Sequence, residues 1–284
     1  MIKCIATDMD GTLLNSIQQV SQENKEAILK AQAQGIEVVV ATGRSYQEAT
    51  YALNEAGLNC PVIGVNGAEV RTKEGDVISA ISIDKQIAKG VAKKLQENEV
   101  YFEVYTNDGA YTIDGDKAVS IIVDIILSAN PDVNMQEAVT AAEKRVHEGR
   151  IHLIDNYDVL FNDEDAQVYK FLAFSFDSKR LEAASNELAD FKELTVTTSG
   201  HENLEITHKD AQKGIALEAF VKTNGIDLSE TMAIGDNFND VSMFERGGRA
   251  VAMGNAGFTI KSLCDVVTDT NDENGVAKAI LEVL

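Results

Sequence analysis

Positive charge is what this chain has least of. Only 25 lysines and arginines stand against 46 aspartates and glutamates, giving a formal net charge of -21 over 284 residues. Phosphate backbones and anionic membranes reward clustered cations, so neither nucleic acid nor a membrane surface is expected as a partner. Cysteine is scarce as well. Cys4, Cys60 and Cys264 are odd in number and far apart, with no paired or metal-type spacing. They read as reduced packing thiols, which suits a cytoplasmic protein. Long apolar runs are missing too. The opening "MIKCIATDMD" reaches an acid before any signal-type segment forms, and "VSIIVDIILSA" is short and interrupted by Asp124. Neither a signal peptide nor a membrane span is expected. No internal repeat and no low-complexity linker occurs.

What is present is the material of a folded globular protein. With 44% hydrophobic residues, the length suffices for one large domain or two of ordinary size. Short β-branched runs alternate with helical patterns, the signature of a parallel α/β sheet. The pattern predicts strands over 2–7 and 36–41, a helix capped by Ser21 and closed by Gly35, another over 45–56, and a third strand at "PVIGVNGA". A hairpin follows, turning near Gly75. After residue 83 the grammar changes. A helix over 84–97 precedes "YFEVYT" and "AYTID", which alternate around an Asn107-Asp108-Gly109 turn, as in an antiparallel hairpin covered on one face only. Helices over 116–129, 134–147, 161–167 and 178–190 and further short strands complete this stretch. Buried-strand runs return at "TMAIGDNFND", "RAVAMGNA" and "DVVTD", before a closing helix over 273–283. The expected organisation is a discontinuous α/β core, 1–83 and 199–284, interrupted by an α+β domain at 84–198.

In an open parallel sheet, ligands bind outside the carboxyl ends of the strands. Four polar stretches fit that position: "DMDGT", "TGR", "KDAQKG" and "GDNFND". In the first, period-two geometry aims Asp8 and Asp10 the same way, where two carboxylates repel unless a cation lies between them. A hard divalent ion with oxygen ligands, most naturally magnesium, removes the problem. Gly11 permits a tight turn, and Thr12 can hydrogen-bond within it. Thr42 and Gly43 offer a hydroxyl and backbone amides to an anion. Lys213 opens a helix whose N-terminal amides favour an anion too. Asp236, Asn239 and Asp240 cluster at another strand end. Each stretch alone also reads as an ordinary surface turn or a solvated lysine. Together they describe a metal site beside a phosphate site.

The ordered set "DMDGTLL", "ATGR", "QKG" and "GDNFND" resembles the four motifs of the haloacid-dehalogenase (HAD) superfamily. "NGA" at 66–68, with the long insertion, resembles its Cof-type hydrolases. The resemblance spans the chain and departs only in lacking a glycine often found before Lys213. It implies a Rossmann-like HAD core with an inserted α+β cap, and a magnesium-dependent phosphatase. Asp8 would be the nucleophile that forms an aspartyl-phosphate, and Asp10 the general acid and base. Magnesium would be held by Asp8, the backbone carbonyl of Asp10, and Asp236. Thr42, Gly43, Lys213, Asn239 and the backbone at Met9 would hold the phosphoryl oxygens, with Asp240 orienting the ligands from behind.

The carboxylate at position 10 disfavours a dehalogenase, and the missing spans exclude the membrane ATPases of that superfamily. The implied substrates are small phosphorylated metabolites such as sugar phosphates, nucleotides or phosphorylated cofactors, selected by the cap. A phosphomutase would use the same residues, and a phospho-ligand sensor would bind without turnover. Arg44 reads equally as a contact to substrate or cap, or as a bridge to a surface acid. His147, His152, His201 and His208 lack metal-ligand spacing. No heptad or apolar stripe sets an oligomeric state.

Overall fold

Val38, Val39 and Val40 explain the first of two sheets. All three are fully buried. Val38 and Val40 join one apolar cluster, Val39 another on the opposite face, so a continuous β-branched run is what a strand covered on both sides requires. In this computed structural model, which describes residues 1–129, 134–147, 151–198 and 202–284, the chain divides into two compact units. One comprises Met1–Ile81 with Asp210–Leu284, the other Ser82–Lys209.

The first unit carries an eight-stranded sheet. Its order is Val266–Val267, Arg249–Ala252, Thr231–Gly235, Cys4–Thr7, Glu37–Ala41, Val62–Gly64, Glu69–Arg71 and Val77–Ala80. The first six are parallel and the last two add as an antiparallel hairpin. Alternation along Cys4–Thr7 sends Ile5 to one face and Cys4 and Ala6 to the other. Ile5 packs with Val38, Met232 and Ile234 against Ile28 of helix Gln22–Ala33, Leu53 of helix Tyr46–Glu55 and Ile280 of helix Gly275–Leu281. Cys4, Ala6, Ala41 and Ala233 are small, and against them lie Leu217, Phe220 and Val221 of helix Lys213–Thr223. Each such aliphatic side chain, fully withdrawn from water, contributes about 1.5–3 kcal/mol. Helix starts follow local chemistry. Ser21 accepts the Asn24 amide, and Ser45 forms a reciprocal capping box with Glu48, each cap worth about 1 kcal/mol.

The second unit holds a six-stranded sheet in the order Leu194–Thr197, Asn203–His208, Val168–Phe174, Tyr101–Thr106, Gly109–Thr112, His152–Leu153. All pairs are antiparallel except the last. On one face Phe102, Val104, Phe171 and Ile206 pack against Val91 and Leu95 of helix Lys85–Glu97 and Leu181 and Leu188 of helix Ser178–Leu188. The opposite face is covered as well: Tyr101 and Tyr105 pack on Ala118 and Ile121 of helix Gly115–Ala129. Every residue of Tyr101–Thr106 is therefore buried, which corrects the expectation of a half-exposed strand.

Other differences have local causes. The helix expected at 161–167 is Asp158–Asn162, because the Asp163 carboxylate then accepts the Asp165 amide in a turn. Residues 203–208 belong to the second unit rather than to the core, since Asn203–His208 is hydrogen-bonded to both Leu194–Thr197 and Val168–Phe174. At the other boundary the Ile83 amide donates to the Val168 carbonyl, so the second unit starts slightly earlier than expected. His152 lies beside the Tyr111 ring and His208 ends its strand. The His147 side chain and all of His201 lie outside the described residues. No described helix is long and apolar enough to cross a membrane.

Candidate active site

The polar stretches converge where the central strands end. Strand Cys4–Thr7 stops just before Asp8, whose amide still donates to the Ile234 carbonyl at 2.9 Å. The chain then turns through Met9–Leu13. Met9 puts its side chain into the core, leaving only its backbone for any ligand. Gly11 has φ 72°, and a Cβ there would come within 2.6 Å of Asp236 Oδ2, so both conformation and space require glycine. Thr12, expected to bond within its own turn, reaches across instead: its hydroxyl donates to Asp236 Oδ1 at 3.0 Å.

Lys213 is the hinge of the charge arrangement. Its helix starts unusually close to the 241–244 turn, since a Cβ on Gly214 would lie 1.8 Å from the Ser242 carbonyl oxygen, and the Gly214 amide donates to Ser242 Oγ at 2.9 Å. This close approach carries the completely buried Lys213 side chain to Asp8 Oδ1 at 2.5 Å and Asp240 Oδ1 at 2.7 Å. Burial alone depresses a lysine pKa, but Asp240 and Asp8 outweigh it and hold this ammonium above its ordinary value. The second oxygen of Asp240 accepts the Asp236 and Asn237 amides at 3.0 and 3.1 Å. Both of its oxygens are thus committed.

Burial pushes the Asp8 carboxyl well above its usual range. Lys213 pulls it back, while Asp240 and Asp236 add to the rise. Asp236 is raised too, first by burial and then by Asp240. Asp8, Asp236 and Asp240 offer oxygens that all lie within 4.8 Å of one another. Three carboxylates thus face one ammonium, and a divalent cation with oxygen ligands fits that deficit of positive charge. With Asp240 fully engaged, Asp8 and Asp236 are the two carboxylates that could hold it.

Asp10 does not share this cluster. The strand ends at Thr7, so period-two geometry never reaches it, and the repulsion placed between Asp8 and Asp10 lies instead among Asp8, Asp236 and Asp240. Asp10 is half-exposed and accepts two hydrogen bonds from Arg44, Nε at 2.9 Å and Nη2 at 2.5 Å. Its backbone carbonyl alone remains as the metal contact expected from sequence.

Thr42 follows its strand directly. It is fully buried, its amide donates to the Ile63 carbonyl at 2.8 Å, and its hydroxyl accepts the Arg44 amide at 3.1 Å. Next to it, a Cβ on Gly43 would come within 3.2 Å of Asn66 Oδ1. Asn66 stands in the left-handed region at φ 55° and accepts Asn239 Nδ2 at 3.2 Å, so it joins the second stretch to the fourth. Its signal was the "NG" at a strand end. Two further contacts had none: Asn255 Nδ2 donates to the Gly11 carbonyl at 2.8 Å, and Gln18 accepts from Arg44 Nη2.

The chain matches a family model described as haloacid dehalogenase-like hydrolase over residues 5–280. Phosphatase YwpJ of Bacillus subtilis (strain 168) is 40% identical over 285 residues, covering the whole of both chains. From the same organism, 5-amino-6-(5-phospho-D-ribitylamino)uracil phosphatase YwtE is 38% identical over all of this chain and 98% of its own length. Among solved structures, a haloacid dehalogenase-like hydrolase from B. subtilis superposes with a TM-score of 0.87 at 39% identity, covering 100% of both chains. One from Bacteroides thetaiotaomicron reaches 0.80 at 26% identity, again with full coverage of both.

Proposed function

Because the chain belongs to the haloacid dehalogenase-like hydrolases and, like the relatives it resembles over its full length, is a phosphatase, we propose that it hydrolyses small phosphorylated metabolites through an aspartyl-phosphate on Asp8, with magnesium as the metal. The observation that carries this reading is the buried contact of Asp8 with Lys213 inside an excess of carboxylates at the strand ends. Phosphoryl transfer asks mainly for positioning and charge neutralisation, and this arrangement supports both.

Asp8 attacks phosphorus through a carboxylate oxygen, and the bond to the leaving alkoxide breaks as Asp10 delivers a proton to that oxygen. Asp10 then takes a proton from the water that attacks the aspartyl-phosphate, releasing phosphate and restoring Asp8. Lys213 orients Asp8 and favours its ionised form against the opposing effect of burial. Thr42, the Gly43 amide, Asn239 and the Met9 backbone hold phosphoryl oxygens, while Asp240 fixes Lys213 and the Asp236 turn. A magnesium ion held by Asp8, Asp236 and the Asp10 carbonyl would neutralise phosphoryl charge.

In this reading the Ser82–Lys209 unit serves as the cap that selects the substrate, and the protein works in the cytoplasm on freely diffusing metabolites. The name of the YwtE relative makes a phosphorylated ribityl compound a first candidate among sugar phosphates, nucleotides and phosphorylated cofactors. The test is phosphate release from para-nitrophenyl phosphate and from a panel of metabolites, with and without magnesium, for wild type and Asp8→Asn. Loss of turnover in Asp8→Asn and on magnesium removal is expected. Equal phosphate release by the two proteins, or conversion of a hexose 1-phosphate to an isomer without free phosphate, contradicts the reading.

A further inference from the structure

Arg44 stands in the same short turn as Thr42, yet phosphate binding leaves it without a task. Its backbone is fixed on both sides. The Arg44 amide donates to Thr42 Oγ1 at 3.1 Å, its carbonyl accepts the Val65 amide at 2.9 Å, and Ser45 beside it caps helix Tyr46–Glu55. From this platform the guanidinium reaches Asp10 with two parallel bonds, at 2.9 and 2.5 Å, while Nη2 also donates to Gln18 Oε1. A two-point contact between planar groups restricts rotation of the carboxylate as well as its distance. A single-point partner would restrict distance only.

The location matters as much as the geometry. Asp10 sits in the turn with φ -78° and ψ 125°, its side chain 48% exposed. Arg44, itself bonded to Gln18, therefore supplies for Asp10 the orientation that Lys213 supplies for Asp8. From this geometry we infer that Arg44 is the positioning residue for Asp10: it sets the direction from which Asp10 delivers its proton to the leaving group. The inference rests on the phosphatase reading above. Asp10 enters the step as the carboxylic acid, protonated at an oxygen lone pair that Arg44 does not take. That O–H bond breaks as the proton passes to the leaving oxygen and the phosphorus–oxygen bond breaks, leaving the carboxylate paired with Arg44, which neither gains nor loses a proton.

This role has a distinctive kinetic signature. An alkyl leaving group needs protonation as it departs, whereas nitrophenolate leaves well without it. Removing the positioning of a general acid should therefore cost far more on the first than on the second. The measurement is kcat/KM, which reports steps through formation of the aspartyl-phosphate, for ribitol 5-phosphate and para-nitrophenyl phosphate. Wild type, Arg44→Ala, Arg44→Lys, Asp10→Asn and the Arg44→Ala/Asp10→Asn double variant are compared, with melting curves to verify folding. Arg44→Ala should lose on the order of 100-fold on the alkyl ester and less than about 5-fold on the aryl ester. Arg44→Lys, which keeps the charge but not the fork, should fall between Arg44→Ala and wild type on the alkyl ester. In the Asp10→Asn background the Arg44 substitution should add almost nothing, as expected of two residues acting as a unit.

Equal losses on the two esters, or additive losses in the double variant, would overturn the assignment and make Arg44 a substrate-binding or purely structural residue. Equal phosphate release by wild type and Asp8→Asn would instead overturn the phosphatase reading, and the Arg44 assignment with it.

Discussion

Each unit buries a lysine among carboxylates, and the two arrangements differ in where the backbone puts them. In the first unit Asp8 and Asp240 stand on turns beyond strand ends and Lys213 opens a helix, with Asp236 close by, and three carboxylates surround the one ammonium. In the second, Glu103 and Lys170 rise from the middle of strands. Glu103 accepts the hydroxyls of Tyr101 and Tyr105 at 3.3 and 3.1 Å, and Lys170 lies 3.5 Å from Glu205 and 4.6 Å above the Tyr105 ring. The mid-strand group is served by neighbours on its own sheet, fixed by register. The strand-end group is left with a charge deficit that only something from outside can fill. Burial of ionisable groups is common to both, and what separates them is that the strand-end carboxylates converge on one point, within 4.8 Å of one another, as the proposed metal site requires.

The sharpest way to break this contrast is at the two lysines. Lys213→Met removes the ammonium bonded to Asp8 and Asp240, so phosphate release should fall at least about 1,000-fold, and stability should drop by about 3–5 kcal/mol in urea titrations. Lys170→Met should leave turnover of para-nitrophenyl phosphate within about 5-fold of wild type, because its neighbours are met within the sheet. Comparable losses of turnover from the two substitutions would erase the distinction.

Next in size is the metal. Magnesium at about 100 times its dissociation constant should stabilise the protein by about 2.7 kcal/mol, read as a rise in melting temperature that chelator reverses. Asp236→Asn should abolish that rise, and Glu103→Gln should leave it intact. Glu103→Ala deprives two tyrosine hydroxyls of their acceptor, and should destabilise by about 1–3 kcal/mol.

The thiols of the first unit give an effect confined to alkaline pH, with no part in turnover. Burial pushes Cys4 and Cys60 up to about 12, with Glu37 adding to the rise in both. An unfolded thiol titrates near about 8.5, so between these values the folded state keeps a proton that the unfolded state releases. Their contribution is fully present below about pH 8.5 and is lost as pH rises towards 12, at about 1 kcal/mol per pH unit and thiol. Urea titrations at pH 7 and 10 should show the decline, and Cys60→Ala should remove about half of it.

The parallel core was readable because its strands are continuous apolar runs that admit one interpretation, as in Val38 to Val40. The second sheet was read correctly in its hairpin and misread in its exposure, since alternation in "YFEVYT" does not reveal that helix Gly115–Ala129 covers the other face. At the candidate site, Asp8, Lys213, Asp236 and Asp240 were legible because each follows or opens a regular element. The partner of Asp10 was not. Period-two reasoning assumed a strand where the chain already turns, and nothing local connects residue 10 to Arg44, which meets it only through tertiary folding and is itself bonded to Gln18.

One consequence of the sheet order concerns synthesis. Strand Cys4–Thr7 pairs on one side with Glu37–Ala41 and on the other with Thr231–Gly235, so its second neighbour leaves the ribosome only after the whole Ser82–Lys209 unit. Closing that long a loop is entropically slow, and Lys213, Asp236 and Asp240 arrive on the same late segment. A nascent chain can thus complete the smaller sheet while Asp8 still lacks Lys213, Asp236 and Asp240, and the carboxylate cluster is assembled only when the last segment of the polypeptide has emerged.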